Sequence, residues 1–428
     1  MQNMSKLQDM KLKVILAVIV AGAMAFSCTT PDIKDNPAAE DQEQKMPDDP
    51  EPTPAPEPEP DYSGILPKLL IETPGRLDVL HKSTWVEGAT IWSVSPSDDT
   101  TKLGTIKIKL RGNSTRSYPK KPYNIKFDSK VPLLGMTKGK KWCLLANWMD
   151  RTLLRNDTAF ELARRSPGLA WTPDGRFAEV VLNGQELGNY YVCEKITISG
   201  SRVDVSEPGG FIIELDTYFD EVNKFHSSAL NMPVNIKEPD EDDILPGDFE
   251  RLQSAYETAE AAVMKAGGDT TFRKLIDIDS FVDWWIVMEL SGNGEAGHPK
   301  SSYMYCDSDM VFHAGPAWDF DWGTFIPNMN YFTCKGCIWY PYLFRDSLFV
   351  ERVKFKWAAQ KADYAGVLEH IDSISDEIEN SAIADCAKWP IDQDVNHDET
   401  LGWRSAVSRL RSALDYRISW LDGQIEDL

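Results

Sequence analysis

The chain has 428 residues, room for about two or three domains, and its 42% hydrophobic content with 14 Trp is that of a folded core and not of a disordered chain. A formal charge of −22 excludes a generic nucleic-acid binder, because phosphate backbones are held by clustered Lys and Arg. Any phosphate site in this protein must be locally basic.

The first 27 residues join Lys6, Lys11 and Lys13 to an apolar run, Val14 to Ala23, followed by small residues. That pattern predicts a secretory signal, too short for a comfortable membrane span. Ala25-Phe26-Ser27-Cys28 has the form of a lipobox, so Cys28 is the expected lipidation site and the expected address is the cell envelope, lipid-anchored. Residues 28–61 are rich in Pro, Asp and Glu and end in PEPTPAPEPEPD, a composition that favours a semi-stiff extended tether. With −9 in this tether and +2 in the leader, residues 62–428 still carry −15.

Residues 62–240 read as sheet-rich. TIKIKLRG (105–112), PYNIKF (122–127) and KWCLLAN (141–147) are short β-rich runs that suggest one antiparallel sheet. TLLRNDTAFELARR (152–165) is the first helical pattern, with its basic residues late, where they suit the helix dipole. RFAEVVLNGQELGNYYVCEKI holds two strands around Asn183-Gly184, and GGFIIELDT (209–217) reads as another strand. Residues 241–428 read as helical, over roughly 247–266, 279–290, 345–364, 367–386 and 403–426. Between the second and third of these helices, SYMYCD and MVFHAG form an expected hairpin leading into GPAWDFDWGTF (315–325). The fold class is α+β, a mixed or antiparallel sheet lobe followed by a helical lobe.

Four constellations carry candidate chemistry. Asp319 and Asp321 lie one residue apart among Trp318, Phe320 and Trp322; on a regular strand they share a face, where like charges call for a cation or a proton between them. Mg²⁺ in phosphoryl transfer uses one or two carboxylates plus phosphate oxygens, though an Asp capping a turn among buried tryptophans gives the same sequence. Second, Lys109 to Lys126 contains RGNST, whose small residues let backbone N–H groups approach an anion, beside Arg111, Arg116, Lys120, Lys121 and Lys126. It lacks GxxxxGK[ST] and is no P-loop; solvated lysines on a hairpin are the plain alternative. Third, Glu194 in GNYYVCEKI either pairs with a lysine such as Lys126 or simply faces solvent. Fourth, the polar, Gly-rich loop after FVDWWIVMEL brings Asn293, Glu295, His298 and Lys300 toward the Asp319 stretch, unless it is only a connector after a helix stop.

Six cysteines follow Cys28. Cys334-Lys-Gly-Cys337 has no second CxxC or HxxxH to complete a zinc site, so a local disulfide or two free thiols is expected. Asp392 to Asp398 begins like a calcium loop but has His397 where the turn wants Gly and Trp403 where the closing Glu belongs.

In this order and spacing, RGNSTRSYPKKPYNIKF, KWCLLANWMDRTLLRN, GNYYVCEKI, the GN-containing loop and PAWDFDW resemble the CotH kinase family over roughly residues 66–420. The resemblance implies an atypical, protein-kinase-like fold that binds ATP with Mg²⁺ and phosphorylates hydroxyls of protein partners. It implies that Lys126 or Lys121 meets nucleotide phosphates, that Glu194 holds that lysine, and that Arg111 and Asn113 shape the phosphate loop. Asp319 would bind metal with Asp321 assisting. Glu295 stands where spore members of the family carry an Asp as the base that receives the acceptor proton. The rival expectations are a surface binding protein that keeps the fold without transferring phosphate, and a carbohydrate-binding lipoprotein, which would need exposed aromatics in a groove. The apolar surroundings of Trp284, Trp285, Trp318 and Trp322 predict instead that these four are buried.

Overall fold

The computed structural model describes residues 65–428; the signal, the tether and Cys28 lie outside the described residues. Seven strands come first, with one helix between the fifth and sixth: β1 (Lys68–Glu72), β2 (Val86–Val94), β3 (Thr100–Leu110), β4 (Tyr123–Val131), β5 (Gly139–Leu145), α1 (Arg155–Arg164), β6 (Gly175–Leu182) and β7 (Gln185–Glu194). They close into a barrel in the order β1-β2-β3-β4-β5-β7-β6. All neighbours are antiparallel except β1 and β6, which pair in parallel and complete the ring. The antiparallel sheet suggested by the sequence is therefore closed into a barrel.

Alternation decides which side each residue takes. Ile106, Ile108 and Leu110 of β3 and Tyr123, Ile125 and Phe127 of β4 fill the barrel, so Lys107, Lys109, Asn124 and Lys126 point outward. On β5 and β7 both faces are apolar: Leu144, Tyr190 and Val192 face the barrel interior, while Cys143, Tyr191 and Cys193 join Phe160 of α1 in a second core. That double burial fixes the barrel against the rest of the molecule.

The remainder comprises β8 (Phe211–Leu215), β9 (Lys224–His226), β10 (Pro233–Glu238), α2 (Asp248–Val263), α3 (Ile278–Ser291), β11 (Ser302–Cys306), β12 (Phe312–Ala314), α4 (Tyr340–Leu343), α5 (Ser347–Ala365), α6 (Val367–Lys388) and α7 (Trp403–Glu426). A second sheet runs β12-β11-β8-β10-β9. Helix α3 is apolar nearly all round, which suits a central helix, and it packs against α1, α5, α7 and β12. Asp277 caps its start by accepting from the Ser280 N–H at 2.7 Å, and Gly292, at φ 66°, ends it in the left-handed conformation a glycine adopts cheaply. The chain then turns directly into the loop that bears Glu295. No helix among the described residues is long and apolar enough to cross a membrane.

Candidate active site

Where the outer face of the barrel meets the second sheet and α1 lies a cleft of about 470 Å³. Its walls come from the 109–118 turn, β5, Asn156 of α1, Lys195, β8, the 216–221 loop, Lys237, the 295–303 loop and residues 318–322. Within the 109–118 turn Gly112 sits at φ 80°, and a Cβ there would lie 1.9 Å from the Thr115 hydroxyl, so the turn admits only glycine without rearrangement.

The Asp319–Asp321 segment is a loop, not a strand, and Asp319 has φ 68°. Three asparagines fix its backbone. The Phe320 N–H donates to Asn156 Oδ1 at 2.9 Å, Asn293 Nδ2 donates to the Asp319 carbonyl at 3.1 Å, and Asn396 Nδ2 donates to the Asp321 carbonyl at 3.0 Å. Asn396 also accepts from the Gly323 N–H at 2.8 Å, so the 392–398 segment, which resembled a failed calcium loop, is a clamp on this one. Trp318 stacks on Phe160 at 5.6 Å and Phe320 meets the same ring edge-on at 6.3 Å. The flanking aromatics thus anchor the loop while both carboxylates line the cleft. Trp322 departs from expectation: it is 45% exposed, and with Tyr218 it flanks Lys300, whose amine lies 5.9 and 5.1 Å from the two rings.

Glu295 completes an acidic group. Its N–H donates to Asn293 Oδ1 at 2.9 Å, and its buried Oε2 has no hydrogen-bond partner. Burial, then the charges of Asp319 and Asp321, push its carboxyl up to about 9; burial, then Asp319, push Asp321 up to about 8. Ser301 Oγ donates to Asp319 Oδ2 at 3.0 Å and orients it. Among the described residues no three His, Cys, Asp or Glu side chains form a ready cage for an ion. Mg²⁺ does not ask for one, since it takes one or two carboxylates and fills its shell with water and phosphate oxygens. Half-buried carboxylates that repel one another, with one oxygen unpartnered, fit that demand.

The raised carboxyls carry a pH prediction. The folded chain holds these protons more tightly than the unfolded chain, whose carboxyls titrate near 3.8 and 4.5. Their stabilisation is therefore complete below about pH 4 and is lost as pH rises toward about 8 to 9. Without divalent cations, the melting temperature should fall between about pH 5 and pH 9, and Mg²⁺ should restore more of it at the alkaline end. A slope that Mg²⁺ leaves unchanged at every pH would contradict this.

Cations line the same cleft. Arg111 lies over Trp318 at 5.2 Å, and Lys109 and Lys195 line the cleft. Lys109 makes no ion pair among the described residues; its amine rests 4.6 Å from the Trp85 ring, and burial lowers its pKa. Burial also lowers Lys195, whose nearest carboxylate, Glu238, is 3.9 Å away.

Of the residues singled out from sequence, Arg111, Asn113, Lys120, Glu295, Lys300, Asp319 and Asp321 line the cleft, Lys120 being buried and paired with Asp385 at 2.8 Å. Asn113 accepts a hydrogen bond from Lys82, which also pairs with Asp220 at 2.5 Å. Lys121 and Lys126 do not line the cleft. Lys121 donates to the Arg116 and Tyr118 carbonyls at 2.9 and 2.5 Å, and Lys126 sits two residues beyond Asn124 on the same outward face. The expected Glu194–Lys126 pair does not form: Glu194 is buried beside Arg202 at 3.6 Å and accepts from the Asp174 N–H at 3.2 Å. Two of the lysines lining the cleft, Lys109 and Lys195, were not assigned a role from sequence. The period-two run TIKIKLRG held a signal for the first, since Lys109 and Arg111 share a face. Lys195 is the sequence neighbour of Glu194, and nothing local tells which of the two meets the cleft.

A family model described as CotH kinase protein matches residues 108–421. No curated protein matches the chain.

Proposed function

The chain belongs to the CotH kinase family, and from that premise we propose that it is an atypical kinase moving the γ-phosphoryl group of ATP to Ser or Thr hydroxyls of protein partners. We read it as exported and held at the cell envelope through a lipid on Cys28, with the barrel and helical body standing as the two lobes of a kinase-like fold. One observation carries the reading: a single cleft lined both by the carboxylates Asp319, Asp321 and Glu295 and by the cations Lys109, Lys195 and Arg111. A polyphosphate bridged to a divalent ion answers both sets of charges at once, which a neutral sugar would not do.

Asp319 and Asp321 would hold Mg²⁺, which when bound neutralises phosphate charge. Arg111, Lys109 and Lys195 would draw the phosphates into the cleft and stabilise the charge that develops on the transferred group. Lys109 is partly desolvated and, although Glu221 and Asp240 act on it through space, forms no ion pair among the described residues, so an arriving phosphate can pair with it. The Gly112 turn would bring backbone N–H groups close to the phosphates, and Lys82 would steady Asn113. Glu295 would orient the acceptor hydroxyl and receive its proton, since a carboxylate with a raised pKa is the stronger base once ionised.

The same raised carboxyl supports the second reading, a binding protein that takes nucleotide without turnover. Protonated, Glu295 accepts no proton. Nucleotide titrations separate the sites: Lys109→Ala should weaken MgATP binding about tenfold or more, while Lys126→Ala changes it by less than about threefold. Equal losses in both variants, or a loss only in Lys126→Ala, would overturn this assignment of the phosphate site.

A further inference from the structure

Cys334 and Cys337 lie beneath the loop that carries Glu295. Both are free thiols, and the Cys337 N–H donates to the Cys334 carbonyl at 3.0 Å, closing a tight turn over Lys335 and the exposed Gly336. This turn touches the loop at both ends. Cys334 Sγ donates to the Asn293 carbonyl at 3.0 Å, and a Cβ placed on Gly297 would stand 3.6 Å from Cys337 Sγ. Asn293 is the hub of the site, since its side chain accepts from the Glu295 N–H and donates to the Asp319 carbonyl.

The start of the turn is also anchored from below. Buried Glu289, in the last turn of α3, accepts from the Thr333 and Cys334 N–H groups at 2.8 and 2.7 Å and pairs with Arg417 of α7 at 2.7 Å. A change at the sulfurs is therefore taken up by the loop above and not by the support below.

We propose that Cys334 and Cys337 form a thiol–disulfide modification site that governs the order of the Glu295 loop. The reaction partner is a small-molecule disulfide. Cys337 thiolate attacks one of its sulfurs, forming a mixed disulfide and releasing one thiol; Cys334 thiolate then attacks Cys337 Sγ, forming the Cys334–Cys337 bond and releasing the second. Two protein thiols are oxidised and one external disulfide is reduced to two thiols. The first attack falls to Cys337 because it is the less buried of the two, 9% exposed against 0% for Cys334. Once the bond has formed, Cys334 has no S–H to give, so the Asn293 carbonyl loses its donor. The change in loop order stands independently of any nucleotide; its consequence for phosphoryl transfer rests on the kinase reading.

The test compares the full chain with Cys337→Ser, each equilibrated with excess oxidised glutathione or with dithiothreitol. Peptide mapping locates the disulfide, and amide hydrogen exchange is followed at residues 293–298. In the wild type a Cys334–Cys337 bond should form, exchange across the loop should quicken about tenfold or more, and dithiothreitol should reverse both. Cys337→Ser retains the Cys334 donor and should show neither change. Any oxidation at Cys143 and Cys193 is common to both proteins and cancels in the comparison. Should Cys337→Ser fail to fold, Cys334→Ser keeps a hydroxyl donor at the same place and serves instead. Absence of the Cys334–Cys337 bond under excess oxidant, or a bond that leaves exchange unchanged, would overturn the proposal. A chain that binds no ATP yet shows the quickened exchange would retain this site and lose the kinase reading.

Discussion

Replacing Asp319 by Asn should cost at least about a hundredfold in MgATP affinity and about a thousandfold in phosphoryl transfer, while leaving the fold intact or slightly more stable. Asn is the informative substitution because position 319 has φ 68°, a conformation Asn tolerates and most side chains resist. Its amide can keep the contact with Ser301, now 3.0 Å from Asp319 Oδ2. Only the charge is lost. The same charge is among the forces that push the Asp321 and Glu295 carboxyls up to about 8 and 9, so its removal relieves repulsion in the empty cleft. A catalytic loss accompanied by equal or better stability separates a metal-holding carboxylate from a structural one. Thermal melts and MgATP titrations of the same preparation measure both, and undiminished Mg²⁺-dependent affinity in Asp319→Asn would remove Asp319 from the site.

Replacing Arg155 by Ala should cost about 3–5 kcal/mol of stability, the penalty of leaving buried carboxylates without their cation. Arg155, at the start of α1, is fully buried and pairs with Asp150 and, at 2.6 Å, with Asp398; its Nε also donates to the Thr324 carbonyl at 3.2 Å. It therefore ties together α1, the segment that carries Asn396, and the chain just beyond Asp321. Asp398, at 0% exposure, is already pushed up to about 6 by burial, with Arg155 opposing the rise, and its Oδ1 has no partner. Without the guanidinium its ionised form becomes costlier still, so the variant should recover part of its stability below about pH 6. Urea denaturation at neutral and mildly acidic pH measures the effect, and a loss under about 1 kcal/mol at neutral pH would mean that the pair is not holding these segments together.

Local pattern made much of the architecture legible. Asn183 and Gly184 adopt the positive φ values, 54° and 82°, that their hairpin requires, and the apolar run before Gly292 is the central helix its composition implied. Barrel closure was not legible, because it rests on Lys68–Glu72 pairing in parallel with β6 more than a hundred residues later, and KLLIE alone has no alternation strong enough to announce a partner. Within the site the limit was one of depth along a strand. Alternation tells that Lys126 faces outward with Asn124 but not that the cleft ends before it, which depends on where the second sheet packs. Trp322 was misjudged for a related reason: its sequence neighbours Trp318 and Phe320 are buried on Phe160, while the chain has already turned toward solvent at 322. Asn396 lay outside every motif considered catalytic, since a clamp on a backbone carbonyl leaves no signature in spacing.

The charges lining this cleft are expected to hold a nucleotide through a divalent ion. Calorimetric titration of ATP into the purified chain, with Mg²⁺ and with EDTA, tests it most directly. Saturable binding is expected with Mg²⁺, and at least about tenfold weaker binding without it. No binding in either condition, or binding indifferent to Mg²⁺, would contradict it.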